Sequence, residues 1–130
     1  MNDVYFTCQE GEIPYLIHLQ AVLIGADLVV MIGGGTHPHV GAVAVSIPRP
    51  SLADPLVTSA TTSVYALVGH KEDDLAKTLA HQIASTLQRK TVMTVGIHVE
   101  GIPPEGIATV KNNCQQAITR LLGFMKNDKN

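Results

Sequence analysis

Two histidines one residue apart, His37 and His39, follow a run of three glycines in the stretch MIGGGTHPHVGAVAV, residues 31–45. Residues i and i+2 of an extended chain share a face, and Pro38 biases His37 toward extended geometry, so the two imidazoles can project side by side. A second pair, His98 and Glu100 in GIHVEGIPPEG, repeats that spacing at a predicted strand end. If the two ends meet, His37, His39 and His98 supply three nitrogens and Glu100 a carboxylate, a donor set suited to Zn²⁺ or another first-row metal. The same spacing also fits surface histidines hydrogen-bonded at loop edges, and the residues alone leave both readings open. Gly33, Gly34 and Gly35 tolerate positive φ and close approach of a ligand, which predicts either a wide turn or a cradle of exposed amides. No GxxxxGK[ST] pattern is present and no helix follows the glycines directly, so this is neither a P-loop nor a dinucleotide fingerprint.

A second chemistry is anion binding. Arg49 lies between Pro48 and Pro50 in SIPRPSL, and a stiffened backbone suits bidentate recognition of phosphate or carboxylate by a guanidinium. His70 and Lys71 in GHKEDD stand at the mouth of a predicted helix, where free amides and the dipole favour an anion. An ordinary helix start and a solvated arginine are the competing readings. No activated nucleophile is visible: there is no GxSxG, Cys8 and Cys114 have no adjacent histidine, and the acids cluster where a helix dipole accounts for them. His18 and His81 read as structural. A binding protein fits this inventory better than a catalyst.

The elements that must position these groups follow from periodicity. DVYFTCQ, EIPYLIHLQAVLIG, ADLVVMIGGG and HVGAVAVSIP read as a meander of antiparallel strands, with reversals at Gly25–Asp27 and at the three glycines. RPSLADPLVTSATTS reads as a loop and SVYALVG as a short buried strand. From Glu72 to Gln88, Leu75, Leu79 and Ile83 recur at four-residue spacing, widened by Ala76, Ala80, Ala84 and Leu87, which is an amphipathic helix. KTVMTVGIHVEG predicts a further strand. Pro103, Pro104 and Glu105 open a last helix with Ile107, Val110, Cys114, Ile118, Leu121 and Met125 on one face, and KNDKN reads as a polar tail. The expected order is β-β-β-β-β-α-β-α, an α+β fold with two helices on one side of a largely antiparallel sheet.

Length and charge bound the class. A chain of 130 residues fits one domain, residues 1–130, with one core. Its 11 acidic residues against 9 basic give no reason to expect a polyanion partner, and with no Trp and only five Tyr and Phe, an aromatic base-stacking platform is not expected either. No apolar run reaches membrane-spanning length and MNDVYFTCQEG does not read as a signal peptide, so the expectation is a cytoplasmic protein with two reduced thiols.

Three motifs, IGGGTHPHVGAVAVSIPRPSLADP, SVYALVGHKEDDLA and VGIHVEGIPPEGI, occur in an order that resembles the LpdD family, small proteins associated with gallate-type decarboxylases of the UbiD class. The similarity spans nearly the whole chain. It implies a chaperone that binds prenylated FMN, or FMN, and supports cofactor delivery to a UbiD-type decarboxylase, with the flavin prenyltransferase as a further partner. It also implies a fold similar to small proteasome-assembly-chaperone domains, which commonly dimerise, so a homodimer is expected. On that reading Arg49, Ser51 and Lys71, with His70 beside them, hold the flavin phosphate, and the glycine run and apolar strand ends take the ring. The histidines either coordinate a divalent metal bridging ligand oxygens or hydrogen-bond the isoalloxazine edge. Two other classes compete: a metal-dependent hydrolase or isomerase with Glu100 as base, and a purely structural accessory subunit of a decarboxylase.

Overall fold

The structure, a computed structural model, describes residues 5–67 and 72–127. Strands β1 (Tyr5–Glu10), β2 (Ile17–Ile24), β3 (Asp27–Gly35), β4 (Ala42–Pro50) and β5 (Thr58–Ala66) precede helix α1 (Glu72–Leu87), strand β6 (Thr91–His98) and helix α2 (Pro104–Asn127). They form one six-stranded sheet in the order β1-β2-β3-β6-β4-β5. β1, β2 and β3 are an antiparallel meander, β3 pairs with β6 in parallel, and β6 and β4, then β4 and β5, pair antiparallel.

Alternation dictates which face of each strand is covered. In β2, Ile17, Leu19, Ala21 and Leu23 are buried while His18, Gln20 and Ile24 are exposed, the period-2 pattern of a sheet with one packed face. Helix α1 lies over β4, β5 and β6, α2 lies over β1 and β2, and the two helices touch each other. Ala76, Leu79, Ala80, Ile83 and Ala84 form the buried stripe of α1, and Val110, Cys114, Ala117, Ile118, Leu121 and Met125 that of α2. Small residues, Ala42 and Ala44 of β4 among them, let the helix sit close to the sheet. Among the described residues, no helix is long and apolar enough to cross a bilayer.

The α+β class, the element order and the helix stripes agree with the sequence reading; four local expectations do not. The meander is interrupted, because β6, some sixty residues further along the chain, inserts between β3 and β4. β5 begins at Thr58, inside the segment read as a loop, and lies at a sheet edge with Tyr65 71% exposed, so it is no buried strand. Its Thr and Ser residues satisfy a half-solvated edge as well as they satisfy a loop, and composition did not separate the two. Ile107 is exposed in the first turn of α2. Of the expected tail, Lys126 and Asn127 still belong to α2.

Candidate functional site

Inserting β6 between β3 and β4 forces the segment after the glycines to step across two strand spacings, about 10 Å, over the end of β6. The backbone shows how it does so. The N–H groups of Thr36 and His37 both donate to the His98 carbonyl (2.7 and 3.2 Å), that of His39 to the Gly96 carbonyl (3.3 Å), and that of Gly41 to the Val95 carbonyl (3.0 Å). The loop over residues 36–41 therefore caps β6, and this brings the GTHPH and GIHVEG segments together.

The glycines serve this crossing rather than forming a cradle of free amides. Gly33 and Gly34 are paired within the ladder to β2 on one side and β6 on the other, and the Gly35 N–H donates to the Leu16 carbonyl at 3.0 Å. Gly35 has φ +74°, and a Cβ there would overlap the His98 carbonyl; a Cβ on Gly34 would lie 2.8 Å from the Ile17 Cα. Gly96 is equally constrained, since its Cβ would fall on the His39 carbonyl. A glycine inside a strand marks close approach of another backbone, and here that backbone is the loop.

Two of the three histidines converge. The His37 and His98 rings lie 5.7 Å apart between centroids, and His98 Nε2 is 3.3 Å from Glu100 Oε1. One ligating atom from each of His37, His98 and Glu100 falls within 4.8 Å of the others. Tetrahedral ligands at about 2.0–2.2 Å from a first-row ion stand roughly 3.3–3.6 Å apart, so modest rotation of the exposed His37 and Glu100 side chains would close the set. With the facing ring nitrogens deprotonated, the cluster offers two imidazole lone pairs and a carboxylate, a set that could hold a divalent cation; in the other tautomer His98 Nε2–H donates to Glu100.

His39 is not part of this cluster, contrary to the equal treatment of the three histidines above. Its Nδ1 faces the His37 carbonyl oxygen at 3.1 Å and its Nε2 faces Glu72 Oε1 at 3.4 Å, so the ring is turned toward the start of α1. Glu72 is 8% exposed and Oε1 also accepts the Ile97 N–H at 3.1 Å. The sequence reading took Glu72 as one of three dipole-favoured acids and missed this. The available signal was Gly41, where a Cβ would overlap the Glu72 carboxylate.

Of the residues expected to hold a phosphate, Arg49 and Ser51 lie at the far end of β4, roughly 25 Å from Gly41 at about 3.3 Å per strand residue, and so stand apart from the His37, His98 and Glu100 cluster. The Arg49 guanidinium instead donates to Thr61 Oγ1 (2.8 Å) and to the Pro50 carbonyl (3.0 Å), and Ser51 Oγ accepts the Ala53 N–H. His70 and Lys71 lie outside the described residues.

Comparison with known proteins supplies what geometry alone does not. A sequence model of the prenylated flavin chaperone LpdD-like domain matches residues 11–126. Protein LpdD of Lactiplantibacillus plantarum is 29% identical over 92 residues, covering 69% of this chain, and the chain spans 64% of the length of that curated relative. In fold, the chain is similar to the crystal structure of a chaperone complex for yeast 20S proteasome assembly, with a TM-score of 0.59, 16% identity and 98% of both chains covered.

Proposed function

Because the chain belongs to the prenylated flavin chaperone LpdD-like family, we propose that it is a non-enzymatic chaperone that binds prenylated FMN and supports cofactor delivery to a UbiD-type decarboxylase, taking the cofactor from a flavin prenyltransferase. The observation that carries the site assignment is the convergence of His37, His98 and Glu100 at the end of β6. A flavin mononucleotide offers anionic and carbonyl oxygens: an imidazole N–H can donate to such an oxygen directly, whereas the ring lone pairs and the Glu100 carboxylate would meet it through a cation. A divalent metal at this cluster would supply that charge. His37, His98 and Glu100 would hold it, with the loop over residues 36–41 fixing their spacing.

The test is a titration of the full chain with FMN and with prenylated FMN, with and without Mn²⁺, for the natural protein and for His37→Ala and His98→Ala. The expected result is tighter binding of the prenylated cofactor, loss of at least tenfold in affinity on chelation of the metal, and a similar loss in either variant. Equal affinity in all of these would remove the site. Metal binding with no flavin affinity, accompanied by turnover of an ester or phosphoester, would favour the metal-dependent hydrolase.

We further propose that the protein is a homodimer through the sheet face that carries no helix. The register aligns Tyr5, Val22, Val29, Val92 and Val45 in one row across five strands, and Gln20, Met31 and Thr94 in the next. Met31 and Val45 remain exposed on that face, and neither row contains a formal charge, so a second copy related by a two-fold axis meets itself without like-charge repulsion there. Strand spacing and rise give these two rows alone roughly 300–400 Å² per copy, so an interface of the standard ~800 Å² per partner would also take in the neighbouring rows of the same face.

A further inference from the structure

One buried carboxylate, at the start of α1, joins the two segments that build the cluster. Glu72 is the first residue of α1, it is 8% exposed, and its Oε1 accepts the N–H of Ile97, the residue before His98 in β6. The same oxygen faces Nε2 of His39 at 3.4 Å, and the other ring nitrogen of His39 faces the carbonyl of His37 at 3.1 Å. Oε2 is buried and has no hydrogen-bond partner among the described residues. A carboxylate favoured only by the helix dipole has no reason to leave water, since burying an ionised group costs several kcal/mol in real proteins. This one is buried, and the space it fills exists because position 41 has no Cβ.

We propose that Glu72 is the positioning residue of the cluster: by bonding β6 and facing His39 it holds the 36–41 loop down on the end of β6 and so sets His37 against His98. Through His39 it fixes the carbonyl of His37, and the N–H groups of Thr36, His37 and His39 can then donate to His98 and Gly96. Glu72 touches no ligand in this assignment. It acts through the loop, as outer groups around a metal site orient the ligands, where their loss typically costs 10–100-fold in affinity.

The test uses the full chain with Glu72→Ala and Glu72→Gln, with Gly41→Ala as a second way to displace the carboxylate and Asp74→Ala as a control that removes an exposed acid from the same helix turn. Hydrogen exchange of the Thr36, His37 and His39 amides reads the loop directly and does not depend on any metal. The Co²⁺ affinity and visible spectrum of each variant read the cluster, and this second arm rests on the cation reading proposed above. We expect Glu72→Ala and Gly41→Ala to speed exchange of those three amides at least tenfold and to weaken Co²⁺ binding about tenfold with an altered spectrum. Glu72→Gln, which keeps an acceptor for Ile97, falls between, and Asp74→Ala changes nothing. Unchanged amide exchange in both Glu72→Ala and Gly41→Ala overturns the proposal, as does an equal effect from Asp74→Ala. Should His37→Ala leave Co²⁺ binding intact while Glu72→Ala still frees the amides, the cation reading fails and the positioning role stands.

Discussion

At the scale of single residues, burial decides which polar groups are available for chemistry. Cys114 sits in the α2 stripe, and burial pushes its thiol up from 9.0 to about 12. Burial also raises the Cys8 thiol, with Arg120 pulling it back and Glu10 adding to the rise. Neither is set up as a nucleophile, since reactivity follows the thiolate. A raised folded-state pKa has a sign: the buried thiol resists ionisation that the unfolded chain allows, so the stabilisation is fully present below pH 9.0 and is lost as pH rises toward about 12. At pH 10.5 the loss amounts to about 2 kcal/mol. Urea unfolding at pH 8 and pH 10.5 should show that decline in the natural protein, and Cys114→Ala should show a shallower one. A matching slope in the variant would mean that other groups carry the alkaline loss.

At the scale of elements, glycines that look alike in the sequence have opposite roles. Gly96 lies within β6 under the His39 carbonyl, so Gly96→Ala must push the 36–41 loop off the strand and should cost at least about 2–3 kcal/mol, read as a lowered midpoint in chemical unfolding. Gly123 lies on the exposed side of α2 with open space where a Cβ would go. Gly123→Ala should therefore raise stability by roughly 0.5–1 kcal/mol, through helix propensity alone, and a fall would show that the α2 backbone departs from regular geometry there. The two sheet edges differ in a comparable way. At β1, Arg120 of α2 donates to the Gln9 carbonyl (3.2 Å) and pairs with Glu10 (2.9 Å). At β5 the nine residues carry no charge, proline or bulge-forming glycine, although these are common devices against edge pairing.

At the scale of the whole molecule, covering only one face of a six-stranded sheet leaves an aliphatic surface that water must solvate. A two-fold dimer through that face predicts a single species of twice the chain mass in sedimentation at micromolar concentration. Val45→Asp, placed in the uncharged row, should shift it to monomer without lowering helix content, because the residue faces away from α1 and α2. A natural protein that sediments as a monomer, with and without flavin, would exclude the dimer. The candidate cluster lies at the end of β6 and thus at the margin of the same face, so the flavin titrations of the natural protein and Val45→Asp should be run together. A variant that is monomeric yet binds normally would show that each copy holds its site alone.

What the sequence determined by itself is what local periodicity and short motifs can carry. The four-residue apolar spacing in 72–87 and the stripe from Val110 to Met125 specify helices because each turn repeats the same geometry, and alternation from Ile17 to Leu23 specifies a one-sided strand for the same reason. The α+β class and the LpdD-like family were legible on those grounds and on the three motifs. Tertiary structure alone decided that β6 enters between β3 and β4, since a strand's neighbour is chosen by pairing across many residues and leaves no mark on its own period. From that one placement follow the loop capping β6, the meeting of His37 with His98 and Glu100, the turning of His39 toward Glu72, and the distance of Arg49 from them all. Spacing along the chain shows which side chains share a face, but only the packed sheet sets which faces meet.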